Sequence, residues 1–384
     1  MLEALITEFE AVEDPRDPCK VEHRLIDILV IAVGAVLGAA ESFEDMADYG
    51  RCKEAWLRGF LALPNGIPSH DTFRRVFMLI DPDRFERVFL AWVRSVFAPG
   101  ETEPDRPRQV AVDGKTLRRS RDRGKGWPAL QLVSAYATEH GITLGQAAVP
   151  PGAGERAAVP ALLDGLDLKG CLVTLDAGFC QKEIAGRIRA RDADYLVCLK
   201  ANHKKLHAAV RGWFETRCFA PGAPHYLPAH DNADAGHGRL VRRRVFACHE
   251  LDALPGLRDW PDVRAVLAVA TIRSHRQGRI QTTAEIRYFL TSAAGLDAGR
   301  LGRAVQRHWT VENGLHWVLD VVFGEDACRV TERRAARNLA CLRRIALHLA
   351  RADQARAASL RRKRKQAAWD DAYMAQLIQP DLMR

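Results

Sequence analysis

The first quarter of the chain has the hydrophobic spacing of α-helices. Apolar residues recur every three or four positions at Leu25, Ile28, Leu29, Ala32 and Val36, as on the buried face of a helix. The same spacing predicts further helices over 43–61, 69–78 and 82–96. We therefore predict a helical domain over residues 1–97. A linker is expected at 98–108, where Pro, Gly and acidic residues cluster.

Beyond residue 108 the pattern changes to short apolar runs that are typical of strands. These runs lie at 110–113, 130–137, 142–149, 171–175 and 195–199, and helical spacing appears at 160–166 and 181–190. The order is three strands, then helix, strand, helix and strand. This order is typical of an RNase H-like α/β core, in which an antiparallel meander is joined to parallel strands by crossover helices.

A strand-rich segment and two long helices follow this core. Strands are predicted at 239–249, 264–273 and 286–291, and helices at 301–320 and 335–352. We therefore predict an RNase H-like domain over 109–350 with a strand-rich insertion at about 202–292. Residues 351–384 are predicted as a basic C-terminal tail, because every residue from Arg361 to Lys365 is cationic.

The amino-acid composition indicates a globular protein, and its net charge favours a polyanionic partner. Of 384 residues, 47% are apolar and 27% are charged, which is ordinary for a globular protein and excludes a disordered or fibrous one. The formal net charge of +9 favours a polyanionic partner. The nine cysteines form no CxxC pair, which disfavours a zinc finger or a disulfide framework and favours a reducing compartment.

No segment predicts a membrane span or an export signal. The most apolar run, from Ile28 to Ala40, is shorter than the roughly 20 residues that a span needs. The first residues are acidic rather than basic, unlike those of a signal peptide. We expect a cytoplasmic protein with no membrane contact.

Two acids lie at the ends of predicted strands. Asp113 ends the strand 110–113, and Asp176 follows the strand 171–175. In an RNase H-like sheet these strands are neighbours, so the carboxylates would meet at the edge where open α/β sheets bind ligands. They would repel unless a cation lay between them, and Mg²⁺ prefers such oxygen ligands. Each acid also has a simpler interpretation, a turn for Asp113 and a helix N-cap for Asp176.

A third carboxylate would complete a site for two metal ions, and Glu312 is the candidate. It shares one face of the predicted helix with His308 and His316, because the three are four residues apart. A solvent-facing glutamate fits the same pattern. The two histidines also allow a zinc interpretation, although HxxxH without another nearby ligand is weak. Three other acids compete for the role of third ligand: Asp320, Glu325 and Asp326.

Basic residues cluster beside the predicted acids, in the insertion and on one N-terminal helix. A single such cluster is usually a solvated surface, but several beside predicted acidic ligands are what a phosphodiester substrate would need for neutralisation and positioning. Arg74 and Arg75 lie on the predicted helix 69–78, which fits either the second helix of a helix–turn–helix or a surface helix with solvated arginines. The other predicted phosphate contacts are Lys115, Arg118, Arg119, Lys200, Lys204, Lys205 and Arg239.

Several groups of residues resemble the motifs of one enzyme family. The first is Val112-Asp113-Gly114-Lys115, the second is Thr174-Leu175-Asp176-Ala177 with Asp194-Tyr195, and the third is His308-Trp309, Val311-Glu312-Asn313 and Leu315-His316-Trp317. Near the N-terminus, Asp14-Pro15-Arg16-Asp17 and Ile67-Pro68-Ser69-His70-Asp71-Thr72-Phe73 are similar to that family's associated domain. Over nearly its whole length the chain resembles the DDE transposases of bacterial insertion sequences, specifically the H-repeat-associated group.

The resemblance implies a DNA transposase in which Asp113, Asp176 and Glu312 bind Mg²⁺ or Mn²⁺, two ions in all. It is the resemblance that selects Glu312 over its competitors. It implies cleavage of element ends and strand transfer, with double-stranded DNA as the partner, and a homodimer or larger oligomer. No small-molecule cofactor is expected. We add Arg307 and His308, at the start of the third motif, as DNA contacts.

Some positions depart from the family pattern. In broader related transposases a Tyr, an Arg and a Lys flank the glutamate, and this chain has Val305, His308 and Leu319 instead. Gly154-Glu155 stands in place of Asn-Glu, and Val241 in place of an acid; neither departure is expected to touch the triad. Two rival functions remain, an RNase H-like nuclease without strand transfer and a decayed or regulatory DNA-binding protein derived from a transposase.

Overall fold

The N-terminal part of the chain is helical in the computed structural model, which describes residues 2–96, 107–220, 222–223, 225, 227–236, 239–277, 279–354 and 356–378. Its helices are α1 (Leu2–Glu10), α2 (Leu25–Leu37), α3 (Phe43–Cys52), α4 (Glu54–Leu57), α5 (His70–Leu79) and α6 (Pro82–Val96). Ser42 and Ser69 begin α3 and α5, because their hydroxyls accept hydrogen bonds from backbone N–H groups of the first turn. The predicted linker at 98–108 lies mostly outside the described residues.

One large sheet follows. Its strands are β1 (Gln109–Leu117), β2 (Leu130–Ala137), β3 (Ile142–Ala148), β4 (Leu172–Leu175), β5 (Asp194–Leu199), β6 (His230–Gly236), β7 (Arg239–Cys248), β8 (Ala265–Gln277) and β9 (Arg279–Thr291). The spatial order is β3-β2-β1-β4-β5-β9-β8-β7-β6. Strands β3, β2 and β1 are antiparallel, whereas β4 is parallel to both β1 and β5. The RNase H-like fold predicted from the strand order is confirmed.

The strand-rich insertion continues this sheet. Strand β9 pairs antiparallel with β5, and β8, β7 and β6 follow outward. Strand β6 has the sequence HDNADAG and was not predicted, because its apolar side chains are two alanines and it has no β-branched or aromatic residue.

Helices cover both faces of the sheet. They are α7 (Val159–Asp164), α8 (Lys182–Arg189), α9 (Lys204–Phe214), α10 (Ala298–His308), α11 (Trp317–Val321) and α12 (Arg333–Ala352). Helix α9 was not predicted, although Leu206, Val210 and Trp213 give it a buried stripe. The single helix predicted at 301–320 is interrupted by a π-helical turn, Val311–His316.

Helix α12 joins the N-terminal helices to the sheet. The ring of His348 on α12 lies 5.5 Å from Phe89 and 6.1 Å from Trp92, both on α6. On its other side, His348 Nε2 accepts a hydrogen bond of 2.9 Å from the backbone N–H of Thr143 in β3. A single hydrophobic core therefore spans the two predicted domains.

The C-terminal segment also packs on this core. It forms α13 (Leu360–Trp369) and α14 (Asp371–Ile378), so the prediction of a basic tail is wrong for residues 360–378. Within the predicted basic run, Lys363 and Arg364 are buried. Arg364 donates hydrogen bonds to the carbonyls of Val36 and Val322, which lie at the ends of α2 and α11. In the described part of the chain, no helix is long and apolar enough to cross a membrane.

Candidate active site

The pairing of β1 with β4 brings two acids together. Val112 lies opposite Leu175 in the parallel ladder, so the next residues, Asp113 and Asp176, are neighbours. The prediction that Asp113 ends its strand is wrong, because β1 continues to Leu117 against β2. Asp113 instead lies at the point in β1 where pairing with the parallel strand β4 has ended and pairing with the antiparallel strand β2 continues.

Asp176 has a second role in local structure. It begins the short 3₁₀ turn Ala177–Phe179, and its Oδ1 accepts a hydrogen bond of 2.7 Å from the backbone N–H of Gly178. The simpler interpretation of Asp176 as an N-cap is therefore correct. This bond holds the carboxylate in place and does not prevent ligand binding, because a carboxylate has two oxygens.

Glu312 lies in the π-helical turn Val311–His316, and its side chain is exposed. Such turns inside helices are frequent at functional sites. A Cβ added at Gly314 would lie 2.6 Å from the hydroxyl of Tyr136, and the Gly314 carbonyl accepts a hydrogen bond from Arg351. The missing side chain at Gly314 therefore lets the turn that carries Glu312 pack against Tyr136, and the hydrogen bond from Arg351 holds the turn in place.

The pKa of Asp113 reflects its burial and the charges of the neighbouring acids. Its pKa is raised to about 7, first by burial and then by the negative charges of Asp176, Glu312 and Glu155. The Nδ1 atom of His316 lies 3.5 Å from Asp113 Oδ2, but burial lowers the pKa of His316 to about 3, so the ring is neutral. An ionised Asp113 therefore lies among like charges, and no Lys or Arg in the described ranges forms an ion pair with it. A divalent metal ion would relieve this arrangement.

The donor set fits a hard cation, because carboxylate oxygens are the ligands that Mg²⁺ and Mn²⁺ prefer. In the described ranges, no three His, Cys, Asp or Glu side chains form a ready metal cage. The zinc interpretation gains no support, because the two histidines have different partners. His308 is buried with its Nδ1 3.0 Å from Thr174 Oγ1, whereas His316 faces Asp113.

The three acids that compete with Glu312 are already paired with cations. Asp320 accepts a hydrogen bond from Lys115, and Asp326 lies 3.6 Å from the same amine. Glu325 is fully buried 3.2 Å from Arg344. By contrast, no Lys or Arg of the described residues forms an ion pair with the carboxylate of Glu312.

Two of the predicted DNA contacts are not available to phosphate. Lys115 is buried, and its amine is held between Asp320 and Asp326. His308 is buried against Thr174, and its pKa is lowered to about 4 by that burial. Both predictions are therefore corrected: Lys115 and His308 connect the helix of Glu312 to the sheet.

Of the other predicted contacts, those whose side chains the structure describes lie on the surface. Lys200 lines a cleft beside Asp176, together with Arg287 and Trp309. Arg74 is paired with Asp71 at 2.7 Å. The side chain of Arg239, in β7, lies outside the described part of the structure. The remaining exposed residues of this group are Arg75, Arg118, Arg119, Lys204, Lys205 and Arg307.

One acid at the site was missed. Glu155 begins the short 3₁₀ turn Glu155–Ala158, and its carboxylate lies over Gly114, next to Asp113. Glu155 is the position of the Gly154-Glu155 pair that matches the family pattern, and it was not predicted as a site residue. The sequence contains a signal, since a lone acid follows the Gly-rich stretch Pro150 to Gly154, but no spacing rule relates that loop to β1.

We predict that Asp113 destabilises the metal-free protein increasingly as the pH rises from about 4 to about 7. The folded-state pKa of Asp113, about 7, is above its ordinary value of 3.8, so the folded state binds this proton more tightly than the unfolded state. The loss is at most about 4 kcal/mol, from about 1.4 kcal/mol per pKa unit. Urea unfolding in EDTA at pH 5 and pH 8 measures it. Asp113→Asn should lack most of this difference; an undiminished difference in the variant would contradict the assignment to Asp113.

Sequence comparison identifies the family. Residues 104–349 match the family model described as "Transposase DDE domain", and residues 6–93 match the one described as "DDE_Tnp_1-associated". The chain belongs to the DDE transposases. The Escherichia coli K12 relative named "H repeat-associated putative transposase YhhI" is 34% identical to this DDE transposase over 98% of each chain. This similarity confirms the predicted group.

A shorter relative carries a different description. "Inactive transposase YbfQ" of Escherichia coli K12 is 39% identical over 75 residues, which are 20% of this chain and 89% of that one. One protein similar to part of this DDE transposase is therefore described as inactive.

Proposed function

We propose that this chain is a metal-dependent DNA transposase that cuts the ends of its element and joins them to target DNA. The observation that carries the proposal is the parallel register of β1 and β4, which makes Asp113 and Asp176 neighbours. The charge of Glu312 acts on Asp113 from the π-helical turn. Two acids from adjacent strands and one from a helix supply the carboxylate set that a two-metal strand-cleavage site requires.

Asp113, Asp176 and Glu312 would hold the divalent ions, Mg²⁺ or Mn²⁺. When bound, such ions activate the attacking hydroxyl and stabilise the leaving oxygen of a phosphodiester. The protein itself positions the donors. The backbone N–H of Gly178 holds Asp176, and the neutral ring of His316 lies against Asp113 without adding a positive charge that would compete with the metal.

The exposed cations would position the DNA. Lys200 lies in the cleft beside Asp176, so it is the best placed of them for a phosphate near the cleavage point. Lys204 and Lys205 begin α9 nearby in the chain. The N-terminal helices, including Arg74 and Arg75 on α5, would bind the element end. We further propose a homodimer or larger oligomer for synapsis and action on DNA in the bacterial cytoplasm.

Cleavage of an end-labelled duplex that carries the flanking element end tests the proposal. We expect nicking at the end with Mg²⁺ or Mn²⁺, none with EDTA, and joining of a labelled 3′-hydroxyl end to a target plasmid. Cleavage without joining would identify an RNase H-like nuclease. Binding without cleavage in any metal would identify a decayed or regulatory DNA-binding protein and contradict the proposed function.

A further inference from the structure

Glu155 reaches the predicted active site from a separate part of the chain. It follows β3 and begins the 3₁₀ turn Glu155–Ala158, whereas Asp113 and Asp176 lie on β1 and after β4. Its negative charge raises the pKa of Asp113, and the charge of Asp176 acts on Glu155 in turn. The carboxylate of Glu155 is therefore close to both strand-borne acids.

A glycine in β1 makes room for this carboxylate. A Cβ added at Gly114 would lie 2.5 Å from Glu155 Cδ and 2.6 Å and 2.7 Å from its two oxygens. All three atoms of the carboxylate group thus occupy the space that a side chain at 114 would fill. The backbone φ of Gly114 is not positive, so other residues could adopt it. A glycine is therefore needed at position 114 to leave space for the Glu155 carboxylate, and not to allow the backbone conformation.

The charge of the Glu155 carboxylate is not compensated by a cation within the described part of the chain. Among the described residues, no Lys, Arg or His forms an ion pair with its carboxylate, although the chain carries 57 Lys and Arg. The acids excluded above from the role of third ligand are each paired with Lys115 or Arg344. A half-buried carboxylate held beside two others without a cation is unfavourable, unless an external cation completes the set.

We propose that Glu155 is a fourth carboxylate of the metal site and that it holds a divalent cation together with Asp113 and Asp176. This inference rests on the proposed function. Gly114 acts as the positioning element, because its missing side chain lets the Glu155 carboxylate lie against β1. The site would then draw one acid from each of four chain segments, namely β1, the turn after β4, the loop after β3 and the π-helical turn.

Mn²⁺ binding to the full-length, DNA-free protein, measured by titration calorimetry at pH 7.5, tests the inference without depending on activity. We expect Glu155→Gln to weaken the Mn²⁺ affinity by about 10- to 100-fold, the range seen when groups that support a metal are removed. Glu44→Gln is the matched control, because it removes the same charge from an exposed position on α3 and should bind Mn²⁺ like the wild type.

The melting temperature gives a second measure. In EDTA, Glu155→Gln should melt at a higher temperature than the wild type, because one of several uncompensated like charges is removed. With excess Mn²⁺ the wild type should gain more than the variant, since stabilisation follows affinity. A variant that simply fails to fold would melt lower in both conditions and would be recognised by this pattern.

Gly114→Ala tests the positioning role. It should weaken Mn²⁺ binding to about the same extent as Glu155→Gln, because the new methyl group displaces the carboxylate. The double variant should be no weaker than either single variant, since both changes remove one interaction. Additive losses would mean that Gly114 acts independently of Glu155.

The outcomes separate the inference from the function on which it rests. If Asp176→Asn loses Mn²⁺ affinity and Glu155→Gln does not, Glu155 is not part of the metal site and the proposed function is unaffected. If Asp176→Asn binds Mn²⁺ like the wild type, the metal site itself is wrong and both proposals fall. Loss in both variants, with Glu44→Gln unchanged, supports both.

Discussion

Asp113→Asn, Asp176→Asn and Glu312→Gln should each reduce cleavage of the element end to background, a loss of at least about 100-fold, while binding of the end remains measurable. Each change removes one negative charge and keeps the size of the side chain. The neutral amide that replaces the carboxylate is a weaker ligand for a divalent ion and leaves the charge of two ions less compensated. DNA binding persists because the exposed cations that would contact phosphate are unchanged.

The measurement compares initial rates of nicking with affinities for the same labelled duplex. Asp320→Asn is the informative comparison for Glu312→Gln, because Asp320 competed for the third position in the sequence and is bonded to Lys115 in the structure. Substantial Mg²⁺-dependent nicking by Glu312→Gln, together with its loss in Asp320→Asn, would move the third ligand to Asp320. Loss of DNA binding in the triad variants would show that they are misfolded.

The sequence was sufficient for the parts of the site that depend on strand order. Apolar runs located β1, β4 and β5, and the order of elements predicted which strands are neighbours. Adjacency of Asp113 and Asp176 follows from that topology, because β1 and β4 are parallel neighbours and their pairing ends at Val112 and Leu175. The choice of Glu312 came from the family resemblance, since helical spacing could not distinguish it from Asp320.

The missed features depend on contacts between distant segments. Spacing within one segment cannot show that Glu155 lies over Gly114 or that Arg364 binds carbonyls at the ends of two other helices. A basic run also looks the same whether it is solvated or buried, so the C-terminal helices were expected as a tail. The π-helical turn departs from the regular spacing on which the predicted face of His308, Glu312 and His316 was based.

Lys115 shows how such a contact changes a prediction about function. Its place after Asp113 suggested a phosphate ligand, but its amine is buried between Asp320 and Asp326. Lys115→Met should therefore lower the free energy of unfolding by about 3–5 kcal/mol, because it leaves the partly buried Asp320 without its cation, whereas Asp326 keeps Arg118 at 3.4 Å. The loss should shrink at low pH, because burial raises the pKa of Asp320 and protonation makes its carboxyl group neutral. Urea unfolding in EDTA at pH 5 and pH 8 measures both effects.

Lys200→Met is the matched control for the stability effect of Lys115→Met, because it removes the same charge from a lysine that is exposed in the cleft beside Asp176. It should change the free energy of unfolding by less than about 0.5 kcal/mol. If Lys200 contacts a phosphate, the slope of log DNA-binding constant against log salt concentration should become smaller in magnitude by about 1 in Lys200→Met.

Lys115→Met should leave that slope unchanged. Adding Asp320→Asn to Lys115→Met should restore part of the lost stability, since one unpaired charge is removed. A stable Lys115→Met protein with a reduced salt slope would instead return Lys115 to the DNA interface and imply that the ion pair with Asp320 opens when DNA binds.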